Sequence, residues 1–421
     1  MRPTNPIPAL ALSLLAVLVT ATAAASPPAP PASPVKRARP DGVAKRATCT
    51  PASAGVSSID DVPAISAAMA SCGDGGTIEI VAGKTYMIRT PLDFSGCTGC
   101  TLNVEGTLKV SDDLAYWEGR RAVFYLAGVQ GATIQSRTGA GLIDGNGQAA
   151  YDYFATNTSY RRPTLHYITS GSSGVTVQKL RVKNAPNVFF SVTGGSAGVA
   201  YRDLVLSATS KSSAAPKNTD GFNIGNATRT TLSNITVANQ DDCIAFKPGA
   251  DGVTVTGITC TGSHGLSVGS LGGGAGAVDV VRNVYVSAAT MINSTKAVGI
   301  KLYPGGSAHG TASVSNVTWD GVTVVNCDYA AQIQSCYGED AAYCTSSPST
   351  AAVSGVYFKN FQGTTSAKYA PTVANLNCPP EGSCDVHFSS WSVKPPSGTP
   401  TFLCANVDSE TGLTCTSGAS G

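Results

Sequence analysis

The sequence predicts an all-β chain folded as a single-domain solenoid of short parallel strands, and three observations carry that prediction. Glycine is abundant, at 46 of 421 residues, while only 13% of residues are charged. Long runs rich in Leu, Glu and Lys are missing, so the composition suits strands joined by turns more than helices. From about Val175 onward one unit recurs, apolar-x-apolar-x-x-apolar-x-apolar.

The unit stands at Val175, Val177, Leu180 and Val182, and at Thr230, Leu232, Ile235 and Val237. It returns at Val253, Val255, Ile258 and Cys260, and more loosely at Val280, Val284 and Val286, at Val314 and Val317, and at Val356 and Phe358. Anchors at Leu180, Leu204, Ile235, Ile258, Val284 and Val317 follow one another at 23 to 33 residues. Alternation within a unit indicates a strand, whose side chains point to its two faces in turn. The two-residue break, often Asn or Gly, indicates a corner where a second strand starts. A unit this short cannot bury its own apolar face, so it must stack on its neighbours. A leucine-rich repeat lacks its consensus here and a propeller needs longer blades. The expected architecture is a right-handed parallel β-helix.

A short helix is expected to cap the N-terminal end of the stack. Val62, Ile65, Ala68 and Met69 are helically spaced between Asp61 and Cys72. Asp61 suits the N-cap, and Pro63 falls in the first turn, where a missing N–H does no harm.

Residues 1–25 have the form of an export signal: Arg2, an apolar run from Ala9 to Val19, and small residues from Ala21 to Ala25. Residues 26–46, rich in Pro and Ala, carry the basic pairs Lys36-Arg37 and Lys45-Arg46 and are expected to be a pro-segment or linker. That leaves 47–421 as the β-helix domain, in a secreted, extracellular protein. No other apolar run is long enough to span a membrane. A formal net charge of +2, with no basic stripe, implies no nucleic-acid partner, and a monomer is expected.

Thirteen cysteines in an exported chain argue for disulfides and leave one thiol over. Plausible short-range pairs are Cys49 with Cys72, Cys243 with Cys260, Cys378 with Cys384, and Cys404 with Cys415. Cys97 and Cys100 have the CxxC spacing of a redox or zinc site. No second CxxC or paired His follows, and with four His in the chain no metal is expected. Five sequons, at Asn157, Asn226, Asn234, Asn293 and Asn316, suit a glycosylated secreted protein.

Three polar segments interrupt the repeat: Asn218 to Gly221, Gln240 to Cys243, and Gly262 to Gly269. Asp220 and Asp241 are 21 residues apart, and Asp242 and His264 are 22 apart. Each interval is about one coil, which would stack the three aspartates and the imidazole on one face. Neighbouring carboxylates repel, so one should keep its proton and serve as general acid beside an ionised base. Those are the parts that glycoside hydrolysis requires. An isolated Asp-Asp pair is more often a solvated turn, a lone His more often structural, and loop carboxylates can also bind calcium. Joint occurrence at one-coil spacing, with flanking glycines, favours a site.

At these residues the sequence resembles glycoside hydrolase family 28, the polygalacturonases. The matching blocks are Asn218-Thr219-Asp220, Gln240-Asp241-Asp242-Cys243, Ser263-His264-Gly265-Leu266-Ser267-Val268-Gly269-Ser270, Gly299-Ile300-Lys301, and Tyr337. The resemblance implies a pectin-lyase-like β-helix that cleaves α-1,4-galacturonosyl bonds of the pectin backbone with inversion and without a cofactor. It implies Asp241 as general acid, Asp220 and Asp242 as the pair that positions and deprotonates water, and His264 as their support. It gives Lys301, Tyr337 and Asn218 to substrate binding.

Two departures bear on substrate. Ser263 stands where the family has Gly, and Gly299 stands where it has an Arg that grips a substrate carboxylate. Gly cannot replace a bidentate guanidinium. Gly299 also opens volume, and the run from Gly299 to Gly306 resembles the family's xylogalacturonan-hydrolysing branch. Plain galacturonan is the alternative substrate, and a non-catalytic pectin-binding solenoid or a calcium-dependent lyase are further readings. Arg282, Arg229 and Lys296 are candidates to supply the missing charge. Tyr151 to Arg162 and Gly272 to Ala277 are expected to be loops near the cleft.

Overall fold

The computed structural model describes residues 46–421 apart from residue 409. The export signal and all but the last residue of the pro-segment therefore lie outside the described residues. Two sheets, of 17 and 12 strands, run the length of the described chain. The smaller sheet takes one strand from each successive coil. Its central members are Phe222–Ile224, Ile244–Phe246, Leu266–Leu271, Lys296–Leu302 and Tyr329–Gln334, each parallel to the next. Parallel pairing of strands one coil apart makes a parallel β-helix, right-handed as β-crossover connections are. No helix among the described residues is long and apolar enough to cross a membrane.

The core lies inside the coil, where like side chains stack because neighbouring strands are in register. Phe124, His166, Phe190 and Phe222 form one such column, with ring centroids 4.5, 4.5 and 5.3 Å apart. Each aromatic pair contributes about 0.5–1.5 kcal/mol beyond its buried area. Burial of His166 pushes its pKa down to about 3, so the ring joins the stack uncharged.

The corners behave as the repeat suggests. Asp203, Asn234, Gly257, Ala288, Gly321, Asn360 and Ser390 occupy one position on successive coils, all with φ between 52° and 71°. A single left-handed residue turns the strand there, which is why Asn and Gly recur at the break. Asn234 and Asn316, two of the sequon residues, are exposed at such corners, and so is Asn293, with φ of 49°. Asn226 is exposed too, and Asn157 half-buried at a helix C-terminus.

Several expectations are corrected. The ladder through Leu204, Ile235 and Ile258 continues to Ala289 and Val322, whereas Val284 and Val317 stack on Val253. Coil lengths vary because turns differ in length, so the equal-looking spacing slipped by half a unit. The capping helix spans Val62–Cys72 and buries Val62, Ile65, Met69 and Cys72. Asp61 stands at its N-cap without capping it; its carboxylate instead accepts from the amides of Ala54 and Met87, both at 2.7 Å. Much of the stretch beginning at Tyr151 is helical, within Gln148–Thr156, and Tyr151 is buried with its hydroxyl donating to Ala185 O at 2.7 Å. Gly272 to Ala277 remains without helix or strand.

The four expected disulfides are present. Cys97 and Cys100 bond to each other rather than to a metal, and Cys336 pairs with Cys344. Cys327 is the remaining thiol among the described residues, and it is buried.

Candidate active site

The smaller sheet presents the site at the turns that enter its strands. Asp220, Asp242, His264 and Lys296 each stand two residues before a strand position that is paired coil to coil, Phe222, Ile244, Leu266 and Val298. The sequence therefore stacks them as one column. Buried Asn239 fastens two of these turns, donating to Thr219 O at 2.7 Å and Asp242 O at 3.0 Å. The Cys243–Cys260 disulfide anchors the chain immediately after Asp242.

Each aspartate sits in a different electrostatic environment. Asp242 is 1% exposed; its Oδ1 accepts from Ser267 Oγ at 2.8 Å and its Oδ2 from Lys301 Nζ at 2.6 Å. Burial pulls the Lys301 pKa down, but the Asp242 charge and hydrogen bond raise it above the ordinary value. Asp241 takes its contacts from the other side. His264 Nδ1 lies 3.2 Å from Oδ1, Asn218 Nδ2 donates to Oδ2 at 3.3 Å, and the Asp242 amide donates to Oδ1 at 2.8 Å. Burial pushes the Asp241 carboxyl up, yet the hydrogen bond and charge of His264, with the Asp242 amide and Lys301, hold it at about 2. Asp220 is 6% exposed and raised to about 7, first by burial and then by the charges of Asp241 and Asp242. Below about pH 7 the proton of the cluster thus rests on Asp220 more than on Asp241.

The substrate-side residues are also brought together. Lys301 Nζ lies 5.5 Å from the ring centroid of half-buried Tyr337, which packs edge-on against Tyr303. Asn218 holds a left-handed backbone, φ 59°, and its Oδ1 accepts from Arg162 Nη2 at 2.7 Å. Arg162 also donates to Lys217 O and Pro186 O, at 2.7 and 3.1 Å, with its guanidinium 3.7 Å from the Phe154 ring centroid. The role of Arg162 in orienting Asn218, and of Ser267 in holding Asp242, escaped the sequence reading. Ser267 stands in the same segment as His264, but only the fold shows that it faces Asp242. Nothing in the sequence marks Arg162.

Donor atoms of Asp241, Asp242 and His264 lie within 4.8 Å of one another, a spacing that a divalent ion could bridge. Lys301 already places a cation on Asp242, which competes with such an ion.

The family model described as glycosyl hydrolases family 28 matches residues 72–415. The endo-xylogalacturonan hydrolase A of Aspergillus tubingensis is 54% identical over 389 residues, 92% of this chain and 95% of that one. The crystal structure of endo-xylogalacturonan hydrolase from Aspergillus tubingensis superposes with a TM-score of 0.88, at 54% identity, over 89% of this chain and 100% of that chain. A polygalacturonase from Erwinia carotovora ssp. carotovora, 18% identical, shares the fold, with a TM-score of 0.66 over 87% and 99% of the two chains. Carboxylates stacked on a parallel β-helix, inside a match that covers most of the chain, place this protein in glycosyl hydrolase family 28.

Proposed function

We propose that the protein is a secreted, monomeric hydrolase of the pectin backbone that cleaves α-1,4-galacturonosyl bonds, with xylose-substituted galacturonan as its substrate. The observation that carries this reading is the cluster of Asp220, Asp241 and Asp242 beside Lys301 in the column of His264. Similarity at 54% identity to proteins called endo-xylogalacturonan hydrolases supports the choice of substrate. Six disulfides among the described residues support export.

In this reading Asp241 protonates the glycosidic oxygen as the bond to C1 breaks. Water attacks C1 from the opposite face and loses its proton to Asp220, with Asp242 helping to hold it. The resting protonation is the reverse, with Asp241 ionised and Asp220 protonated. Burial is the first cause of the raised Asp220 pKa and the Asp241 charge the second, so moving one proton to Asp241 eases ionisation of Asp220 and couples the two carboxyls. His264, when charged, can feed Asp241 through Nδ1. Asp242 keeps its contact with Lys301 throughout. Two further ammonium hydrogens of Lys301 remain for a galacturonate carboxylate, and Tyr337 flanks the same sugar.

The test is incubation of the purified protein with polygalacturonic acid and with xylogalacturonan, followed by sizing of products and NMR of the first anomer released. Faster release of reducing ends from xylogalacturonan, with inverted anomers, is expected. Preference for the plain polymer would assign a polygalacturonase instead. Unsaturated, chelator-sensitive products would assign a lyase. No cleavage of either polymer would reject the hydrolase.

A further inference from the structure

Lys296 belongs to the column of Asp220, Asp242 and His264, yet the mechanism above gives it no task. It is 5% exposed and its side chain lies along the face of the sheet that carries the site. A Cβ added at Gly299 would meet Lys296 Cδ at 2.8 Å and Cε at 2.9 Å, besides Gln332 O at 2.6 Å. A Cβ at Gly265, φ 109°, would meet Lys296 Cγ at 3.1 Å. The lysine stem therefore runs in a slot floored by two glycines, and its end crosses the place where the family's Arg side chain would begin.

The second departure from the family pattern serves the same residue. Ser263, fully buried, shares a 3.0 Å hydroxyl contact with Ser294, and its carbonyl accepts from the Thr295 amide at 2.9 Å. Those contacts fix the turn that launches Lys296. Ser263 thus holds the turn before this lysine, and Gly299 lies against its stem.

The other two candidate cations are elsewhere. Arg229 and Arg282 sit in the strands Ala227–Ala238 and Val278–Ile292 of the larger sheet. Arg229 is exposed, and Arg282 Nη2 is 2.9 Å from Asp251 Oδ2.

We propose that Lys296 is a carboxylate-binding residue of the cleft, which takes over from the absent arginine by reaching across Gly299 and grips a uronate carboxylate beside the scissile bond. An anion is the ligand its surroundings ask for. Lys301 is matched one to one by Asp242, whereas Lys296 feels the Asp242 and Asp241 charges but forms no ion pair among the described residues. Its pKa is lowered to about 8, by burial first and then by the Lys301 charge, so it is cationic in acidic and neutral solution. A lysine is a single point of charge on a narrow stem, and it leaves open the volume that a guanidinium fork would fill. That combination holds the backbone uronate while making room for a sugar branch.

This inference rests on the galacturonan reading, and the experiment separates the two. The full chain and its Lys296→Met and Lys296→Arg variants are compared by steady-state kinetics on both polymers. Lys296→Met should raise KM tenfold or more, as expected of roughly one lost charged hydrogen bond, with kcat within about threefold. Lys296→Arg should recover most of the loss. Calorimetric binding of a galacturonate oligomer and of its carboxyl-reduced counterpart needs no turnover, and so decides the matter even if neither polymer is cleaved. The acidic oligomer should bind Lys296→Met about tenfold more weakly than the wild type, and the neutral one equally. An unchanged KM, a loss confined to kcat, or equal weakening of both oligomers would overturn the proposal. Lys296→Met should fold, because an apolar chain of similar length replaces a buried charge; unchanged thermal unfolding checks this.

Discussion

Lys301 and Asp242 form a buried ion pair, Nζ to Oδ2 at 2.6 Å, with side-chain exposures of 6% and 2%. The pair joins neighbouring parts of one sheet face, since Lys301 stands opposite Gly269, two residues beyond the Ser267 that holds the other oxygen of Asp242. A residue expected to serve the substrate alone is therefore also the counter-ion of the cluster.

Lys301→Met should destabilise the fold by about 3–5 kcal/mol, because it leaves the Asp242 charge buried without a partner. The double variant Lys301→Met with Asp242→Asn should recover most of that stability while remaining inactive. Chemical denaturation of both variants measures it.

Asp220 supplies a pH test. Its folded carboxyl is raised from an ordinary 3.8 to about 7, so the native state binds more protons than the unfolded chain between those values. Stability contributed by this group is full below about pH 4 and is lost as pH rises towards 7. Asp220→Asn carries no such loss. Its melting temperature relative to wild type should climb from pH 4 to pH 7, by an amount worth a few kcal/mol, while activity disappears. A pH-independent difference would contradict the assignment.

Asp241→Asn should reduce hydrolysis of the polymer by roughly 10²–10⁴-fold, the usual contribution of general acid catalysis. On a galacturonide with an acidic phenol as leaving group the loss should be much smaller, since that group departs without a proton. Equal losses on both substrates would mean that Asp241 is not the acid.

Arg162 orients Asn218 through one hydrogen bond to its Oδ1, with the guanidinium fixed by two more to Pro186 O and Lys217 O, a set that a lysine cannot reproduce together. Arg162→Lys should lower kcat about tenfold and leave KM near wild type, because Asn218 contacts Asp241. A rise in KM alone would assign Asn218 to substrate grip, the part the family resemblance gave it.

Much of the fold was legible because a β-helix writes itself locally. Alternation marks each strand, and left-handed corners favour Asn or Gly, as at Asn234, Gly257 and Asn360. Disulfides between near neighbours, such as Cys243 and Cys260, were legible for the same reason. Coil length was not: turns absorb residues freely, so the rung of Val284 was mistaken for the rung of Ala289. Asp61 shows the same limit, as its carboxylate prefers the amides of Ala54 and Met87 to those of its own helix.

By itself, then, the sequence determined the all-β solenoid and the one-coil spacing that brings Asp220, Asp242 and His264 together. Both follow from periodicity, which is a property of neighbours along the chain. Tertiary structure alone decided which carboxyl keeps the proton, that Lys301 neutralises Asp242, and that Lys296 lies over Gly299. Those depend on burial and on angstrom-scale distances between coils, and charge interactions in a low-dielectric cleft change steeply with both.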